Sequence, residues 1–142
     1  MTALDMVRPV DVVAAVLRDP GGRLFIAQRP RHKRHGGLWE FPGGKVHSGE
    51  TRADAVAREL QEELGLTATW IADAPLFSRL DPGQPFRIVF LEAEARGVPV
   101  LHEHQAVAWV PVPVPVEYVL APTDTAFAAA LSRGEIRLRG KD

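Results

Sequence analysis

The sequence predicts one domain of the α/β or α+β class, in which a mixed β-sheet is sandwiched between α-helices. Three observations favour this class: two segments with helical periodicity, several short β-branched segments around them, and 142 residues without a repeat or flexible linker. We expect one domain over residues 1–142, with its core over about 7–134 and a frayed tail from residue 135.

The chain is expected to begin with strands. The segment Val7–Leu17 is rich in β-branched residues, and turn residues 19–22 separate it from a second short strand, Leu24–Gln28. The two strands are therefore predicted to form a β-hairpin. After a basic loop, residues 38–41 alternate like another short strand.

The clearest helix is predicted over Arg52–Leu64. Thr51 is expected to cap it, and Asp54 stands at the position that completes a capping box. Gly65 follows where a left-handed residue often ends a helix. Apolar residues recur at helical spacing and form one face, namely Ala53, Val56, Ala57, Leu60 and Leu64.

The second half alternates between strands and turns before a final helix. Strands are predicted at Thr67–Ala72, Phe77–Leu80, Arg87–Ala95 and Ala106–Val110. The alternating Val-Pro run over residues 110–116 is predicted to be an extended connector, because proline cannot donate a hydrogen bond within a sheet. The last helix is predicted over Thr123–Ser132 and ends before Gly134.

The composition limits the classes of function. The chain has no cysteine, which excludes thiol catalysis and thiolate metal sites and is compatible with a reducing cytoplasm, where we expect the protein. The net charge of −1 argues against stable binding of nucleic acid. No apolar run approaches the ~18 residues of a membrane helix, and the first residues do not resemble a signal peptide. Monomer and homodimer both stay open.

The polar side of the first helix carries three glutamates. At about 100° per residue, Glu59 and Glu63 lie one turn apart, and Glu62 lies on the other flank of Glu59. Like charges at this spacing repel one another, which a bound cation would relieve. Oxygen ligands favour Mg²⁺ or Mn²⁺ over zinc. The helix alone leaves a second interpretation open, a solvated acidic face balanced by Arg58.

A longer pattern surrounds these glutamates. Gly44 is followed after five residues by Glu50, and after seven more by Arg58-Glu59-Leu60-x-Glu62-Glu63-x-Gly65-Leu66. The pattern resembles the Nudix box and matches it at every fixed position. The flanks, residues 38–46, 102–105 and 120–124, resemble those of MutT-type nucleotide pyrophosphohydrolases.

The resemblance implies the Nudix fold and Mg²⁺-dependent hydrolysis of a nucleoside triphosphate to a monophosphate and pyrophosphate, with Mn²⁺ as a substitute cation. The small-molecule substrate would be of the 8-oxo-dGTP or (d)CTP type, in keeping with sanitisation of the nucleotide pool. The metal ligands that it implies are Glu59, Glu62, Glu63, Glu103 and the carbonyl of Gly43.

The resemblance also implies catalytic and supporting roles. Glu59 activates the attacking water, Glu103 assists as a base, and Arg58 orients the carboxylates. Glu50 and Gly44 support the loop before the helix. Nearby charges in the basic loop, among them Lys33 and Arg34, and the histidines His102 and His104 are expected to be ordinary loop residues.

Three further residues are implied to bind substrate. Arg29 contacts phosphate, Phe41 lines the base pocket, and Asp124 reads the base. Enzymes for oxidised dGTP carry an amide where Asp124 stands. An ionised carboxylate suits the exocyclic amine of cytosine, whereas a carboxyl kept protonated by burial would suit oxidised guanine. A helix cap is the alternative role for Asp124.

Two other functions are considered. ADP-ribose hydrolases of the family carry a proline about sixteen residues after the box, where Pro82 stands, although Asp81-Pro82-Gly83 is also a natural turn. A non-catalytic Nudix-like nucleotide-binding domain is the second alternative, and the intact box carboxylates argue against it.

Overall fold

The protein is described by a computed structural model over residues 8–140. Val7, the first residue of the first predicted strand, lies outside this range. The elements in chain order are β1 (Val10–Leu17), β2 (Leu24–Gln28), β3 (Trp39–Glu40), β4 (Gly43–Lys45), α1 (Arg52–Leu64), β5 (Thr67–Ile71), β6 (Phe77–Leu80), β7 (Phe86–Arg96), β8 (Ala106–Val110) and α2 (Pro122–Ser132). Neither helix is long and apolar enough to cross a membrane.

The strands form two sheets. The larger has the order β4-β1-β7-β5, with β6 also pairing with β7; β1 and β7 are parallel and the other pairs antiparallel. The smaller sheet has the antiparallel order β3-β2-β8. The predicted mixed α+β class is confirmed.

The predicted β1–β2 hairpin is wrong. The two strands belong to different sheets and share only an isolated bridge between Arg18 and Leu24, beside the turn. Residues 13–17 of β1 are all buried, because the strand is covered on both faces. A strand of this kind is typical of a sheet interior, where β1 pairs in parallel with β7.

The larger sheet separates two apolar clusters, because alternate residues of a strand point to opposite faces. One cluster joins Val13, Leu17 and Leu91 of the sheet to Val56, Leu60 and Leu64 of α1. The other joins Ala14, Val16 and Phe90 to Phe127 of α2. The rings of Phe90 and Phe127 stack with centroids 4.5 Å apart. The two helices therefore cover opposite faces of this sheet, as predicted.

Both ends of α1 are fixed by local interactions. The Asp54 N–H donates to Thr51 Oγ1 at 3.0 Å, and the Thr51 N–H donates to Asp54 Oδ2 at 3.1 Å, which forms the predicted capping box. Gly65 has φ 65° and ends the helix in the left-handed conformation. The helix that carries the glutamates is thus defined at both ends.

The chain after α2 packs against the protein and does not fray as expected. Ile136 and Leu138 contact the second apolar cluster. The N–H groups of Arg139 and Gly140 donate to the two carboxylate oxygens of Glu92 at 2.8 and 2.7 Å. Glu92 is buried on β7. The frayed-tail prediction is therefore wrong for residues 135–140, because a distant strand supplies the acceptors for the tail.

Replacing Glu92 tests this attachment. In Glu92→Ala the two N–H groups lose their acceptors, so the free energy of unfolding should fall by about 2 kcal/mol. Amide hydrogen exchange should accelerate at residues 139 and 140. Glu94→Ala, an exposed change on the same strand, is the matched control and should alter stability by less than about 0.5 kcal/mol. Unchanged exchange at 139 and 140 would contradict the attachment.

Candidate active site

One cavity of about 770 Å³ brings most of the predicted site residues together. Its walls come from the loop after β2, the segment around β4, α1, β7, the loop before β8 and the start of α2. Among the residues lining it are Arg29, Phe41, Gly43, Gly44, Glu59, Glu62, Glu63, Glu103 and Asp124. Arg58 and Glu50, which were also predicted, lie outside this lining.

Arg58 holds three of the box glutamates. Its Nε and Nη2 donate to the two oxygens of Glu50 at 2.7 and 3.0 Å. Its Nη1 donates to Glu59 at 2.7 Å and to Glu62 at 3.2 Å. Hydrogen bonds from Arg58 and from the His47 N–H lower the pKa of Glu50 to about 2. This geometry suits an arginine that orients carboxylates.

Glu63 is a buried carboxyl group whose ionised form no cation compensates in the described part of the chain. Burial, followed by the nearby carboxylates of Glu59 and Glu40, raises the pKa of Glu63 to about 9. Its Oε2 is buried and has no hydrogen-bond partner among residues 8–140. A buried carboxylate without a partner is costly. A divalent cation, which prefers oxygen ligands, would supply the missing partner.

Two glycines let the backbone of β4 pack closely against its neighbours, Gly44 against Glu59 and Gly43 against β1. A Cβ atom on Gly44 would lie 2.5 Å from Glu59 Oε1, and a Cβ on Gly43 would collide with the carbonyl of Val13. The sequence did not predict β4 as a strand, because glycine has a low strand propensity. The close approach explains why small residues are needed here.

The acidic side chains do not form a closed ligand set as they stand. No three His, Asp or Glu side chains within residues 8–140 converge as a metal site. Arg58 draws Glu59 and Glu62 toward itself, and the Glu62 side chain is 60% exposed. The oxygen-only donors and the unpartnered Glu63 oxygen nonetheless fit a hard divalent cation in charge and chemistry.

Glu103 borders the cavity from the loop before β8. It is exposed and accepts a hydrogen bond from Lys33 Nζ at 3.0 Å, and this bond lowers the pKa of Glu103. Lys33 is therefore paired with a predicted site residue, whereas the sequence had indicated only a solvated loop charge.

Glu40 connects two walls of the cavity and was not predicted as a site residue. It accepts from Arg29 Nη1 at 2.6 Å and lies 2.9 Å from His104 Nε2. Arg29 Nε also donates to the carbonyl of Arg34 at 2.7 Å. His104 is buried, which corrects the interpretation of it as an ordinary loop residue. The only available signal was the position of Glu40 within the matched flank.

Asp124 faces the cavity from the first turn of α2. The helix begins at Pro122 after Ala121 and has no side-chain cap, so the helix-cap alternative is wrong. Asp124 Oδ1 accepts from the Phe41 N–H at 2.9 Å. Burial raises the pKa of Asp124 to about 8, the Phe41 N–H opposes this change, and the charge of Glu40 adds to it.

Apolar side chains form the cavity wall contributed by the larger sheet. Val12 and Ile88 are paired across β1 and β7, and Phe86 lies two residues before Ile88. The ring of Phe41 packs edge-on against Phe90 and Phe127, with centroids 5.9 and 5.2 Å apart. Phe41 therefore borders the cavity while its ring belongs to the core.

The raised pKa of Glu63 gives a stability test in the metal-free protein. A group whose pKa is raised by folding contributes its full stability below its ordinary value of 4.5, and that stability is lost progressively as the pH rises from there through about 9. Glu63→Gln should abolish this loss and, in EDTA at pH 8, raise the melting temperature by about 5 °C or more.

The matched control for this test is Glu62→Gln, which changes an exposed carboxylate on the same helix and should leave the metal-free melting temperature nearly unchanged. Thermal unfolding between pH 5 and 9, followed by circular dichroism, makes the measurement. A Glu63→Gln protein that loses stability with pH as the wild type does would contradict the assignment of a buried, repelled carboxylate.

Comparisons with known proteins agree with the fold and the box. The profile of the NUDIX domain family matches residues 8–131. The CTP pyrophosphohydrolase of Escherichia coli is 40% identical over 119 residues, covering 81% of this chain and 85% of that protein. The 8-oxo-dGTP diphosphatase of Haemophilus influenzae is 35% identical over 105 residues, covering 71% and 75%.

A solved structure gives the same result. It comes from a study of MutT from Aliivibrio salmonicida and Vibrio cholerae, and superposes with a TM-score of 0.74 at 30% identity over 88% of this chain and 98% of that one. Proteins of this family act on small nucleotide substrates and generally use divalent metal ions. The family match over most of the chain, with the relatives named as pyrophosphohydrolase and diphosphatase, shows that the protein belongs to the Nudix family and is a MutT-like Nudix hydrolase.

Proposed function

We propose that this enzyme hydrolyses (d)CTP-type and oxidised dGTP-type nucleoside triphosphates to the monophosphate and pyrophosphate, with Mg²⁺ as cofactor and Mn²⁺ as a substitute. Its role would be sanitisation of the nucleotide pool in the cytoplasm. One observation carries the proposal: a single cavity joins the box glutamates of α1 to the buried carboxyl of Asp124 and an apolar wall.

The cation would be held by oxygen atoms at the acidic part of the cavity. The proposed ligands are Glu59, Glu62, Glu63 and Glu103, with the carbonyl of Gly43. The unpartnered buried oxygen of Glu63 supports this assignment. When bound, the ion neutralises phosphate charge and lowers the pKa of water.

The residues of the chain then position the reaction. Arg58 fixes the Glu59 carboxylate through the bond at 2.7 Å, so Glu59 can accept the proton of the attacking water as general base. Arg29 Nη2, which has no hydrogen-bond partner among residues 8–140, is available for phosphate, while Nη1 and Nε hold the side chain in place. Arg29 is therefore oriented by two hydrogen bonds and Glu59 by one, and within the described chain each keeps an atom free for its proposed role.

Removing the proposed base tests the catalytic assignment. Glu59→Gln keeps the size of the side chain but cannot accept the proton, so kcat should fall by about 10³ or more. EDTA should abolish wild-type activity. Glu117→Gln, an exposed acidic position outside the cavity, serves as the control and should retain full activity.

The products identify the phosphorus that is attacked. In ¹⁸O-labelled water the label should enter pyrophosphate and leave the monophosphate unlabelled, because the MutT-like flanks imply attack on the inner β-phosphorus. Normal turnover by folded Glu59→Gln, or orthophosphate and a nucleoside diphosphate as main products, would overturn the proposal.

Asp124 is proposed to read the base. With a pKa of about 8, the carboxyl is mostly protonated at neutral pH and offers an O–H donor as well as an acceptor. Oxidised guanine presents the complementary pair, an O6 acceptor beside a ring N–H donor. Above pH 8 the ionised carboxylate only accepts, which suits the exocyclic amine of cytosine.

Base preference should therefore depend on pH. Raising the pH from 7 to 9 should lower kcat/KM for 8-oxo-dGTP relative to dCTP by about tenfold. Asp124→Asn should remove this dependence and favour 8-oxo-dGTP throughout, because the amide always offers both a donor and an acceptor. Steady-state kinetics with both substrates measure the ratio. A ratio that does not change with pH or with the substitution would show that Asp124 does not read the base.

A further inference from the structure

Another ion pair outside the box lines the cavity, between Arg34 and Asp81. Arg34 Nη1 donates to Asp81 Oδ2 at 2.7 Å, and Thr123 Oγ1 donates to the other oxygen of Asp81 at 2.7 Å. All three residues belong to the cavity lining. The sequence had indicated a solvated charge at Arg34 and only a turn at residues 81–83, so neither was expected in the site.

Asp81 is the member of this pair that the fold holds in place. It is 5% exposed and begins the turn between β6 and β7, where its N–H donates to the carbonyl of Phe86 at 2.8 Å. Pro82 lies in the same turn, closed by the Gln84 N–H to the Asp81 carbonyl at 3.1 Å. The turn therefore explains Pro82 without an ADP-ribose function.

The ion pair with Asp81 places Arg34 among the residues proposed to surround the base. Thr123 directly precedes Asp124, and Phe86 belongs to the apolar wall. The Arg34 backbone is also fixed, because its carbonyl accepts from Arg29 Nε at 2.7 Å. The Arg34 side chain is 41% exposed, so its guanidinium remains accessible from the cavity.

Arg34 retains unused donors. Its Nε and Nη2 make no hydrogen bond within the part of the chain that the structure describes. The buried carboxylate of Asp81 already balances its charge, and Val12, Phe86 and Ile88 give the same cavity an apolar part. A neutral group with a lone pair therefore suits this position better than a phosphate.

We propose that Arg34 is a specificity-determining residue that, held by Asp81, donates a hydrogen bond to a ring carbonyl of the nucleobase. This inference rests on the proposed function. Cytosine, uracil and guanine carry such a carbonyl, whereas adenine has none. Arg34 thus selects against adenine nucleotides, independently of the reading by Asp124.

Binding of the monophosphates tests the proposal without catalysis. Calorimetric titration of wild-type protein with CMP, GMP and AMP should give affinities for CMP and GMP about tenfold higher than for AMP. Arg34→Ala should reduce this preference to about twofold. Arg34→Lys should reduce it as well, because the ammonium can pair with Asp81 but lacks the second planar donor. Melting curves verify that each variant is folded. If Arg34→Ala proves unstable, Arg34→Lys, which keeps the ion pair with Asp81, decides the test.

Arg31→Ala provides the matched control, since Arg31 is exposed in the same loop and does not line the cavity; it should keep the wild-type preference. Equal weakening of all three ligands in Arg34→Ala would place Arg34 on the phosphate or sugar and overturn the proposal. A wild-type preference in Arg34→Lys would overturn it too, since charge alone would then suffice.

A kinetic measurement separates this inference from the proposed function. The kcat/KM ratio of CTP to ATP should follow the binding ratio across the same variants. If wild-type protein hydrolyses no triphosphate, the proposed function fails while the monophosphate affinities still decide the role of Arg34.

Discussion

Electrostatic repulsion around the carboxylates of α1 is the constraint on which the site depends. Arg58 offsets this repulsion on one side by binding Glu50, Glu59 and Glu62. It does not reach Glu63, whose carboxylate stays buried with one oxygen unpartnered in the described chain. In the metal-free fold the buried carboxyl of Glu63 is therefore an unfavourable interaction that a bound cation would relieve. Proteins usually retain unfavourable interactions of this kind where function depends on them.

The scaffold keeps these charges in place despite their repulsion. The capping box and Gly65 define the ends of α1, and its apolar face packs on the larger sheet through Val56, Leu60 and Leu64. Burial of several such side chains contributes roughly 1.5–3 kcal/mol each, more than like charges on a helix cost. The carboxylates are thus held by packing on the opposite side of the same helix.

The parts of the protein that sequence could predict are those set by local rules. The bounds of α1 and its caps depend on residues a few positions apart, and they were predicted as observed. The β1–β2 hairpin was wrong because pairing partners are chosen by burial on both faces, which local turn residues do not show. The tail was wrong because Glu92, 47 and 48 residues away from its partners, supplies their acceptors.

The same distinction applies to the site. The box spacing located the glutamates because they share one helix. The partners that fix the other walls are far apart in sequence: Glu40 and His104 are separated by 64 residues, and Arg34 and Asp81 by 47. No spacing rule connects such residues, so a charged loop residue cannot be distinguished from a site residue until the fold brings its partner to it.

Two buried acids in one cavity have surroundings that suit the two different roles proposed for them. Burial raises the pKa of both Glu63 and Asp124. Glu63 lies beside other carboxylates, so a cation would be a suitable partner for its ionised form. Asp124 receives a backbone N–H from Phe41 near apolar side chains, so a proton can keep it neutral and able to donate. Glu40, which is not one of the proposed ligands, adds its negative charge to the effect of burial on Asp124, and a cation bound in the same cavity would oppose that contribution. The proposed metal site and the proposed base-reading carboxyl would therefore be coupled through the electrostatics of one cavity, although different elements carry them.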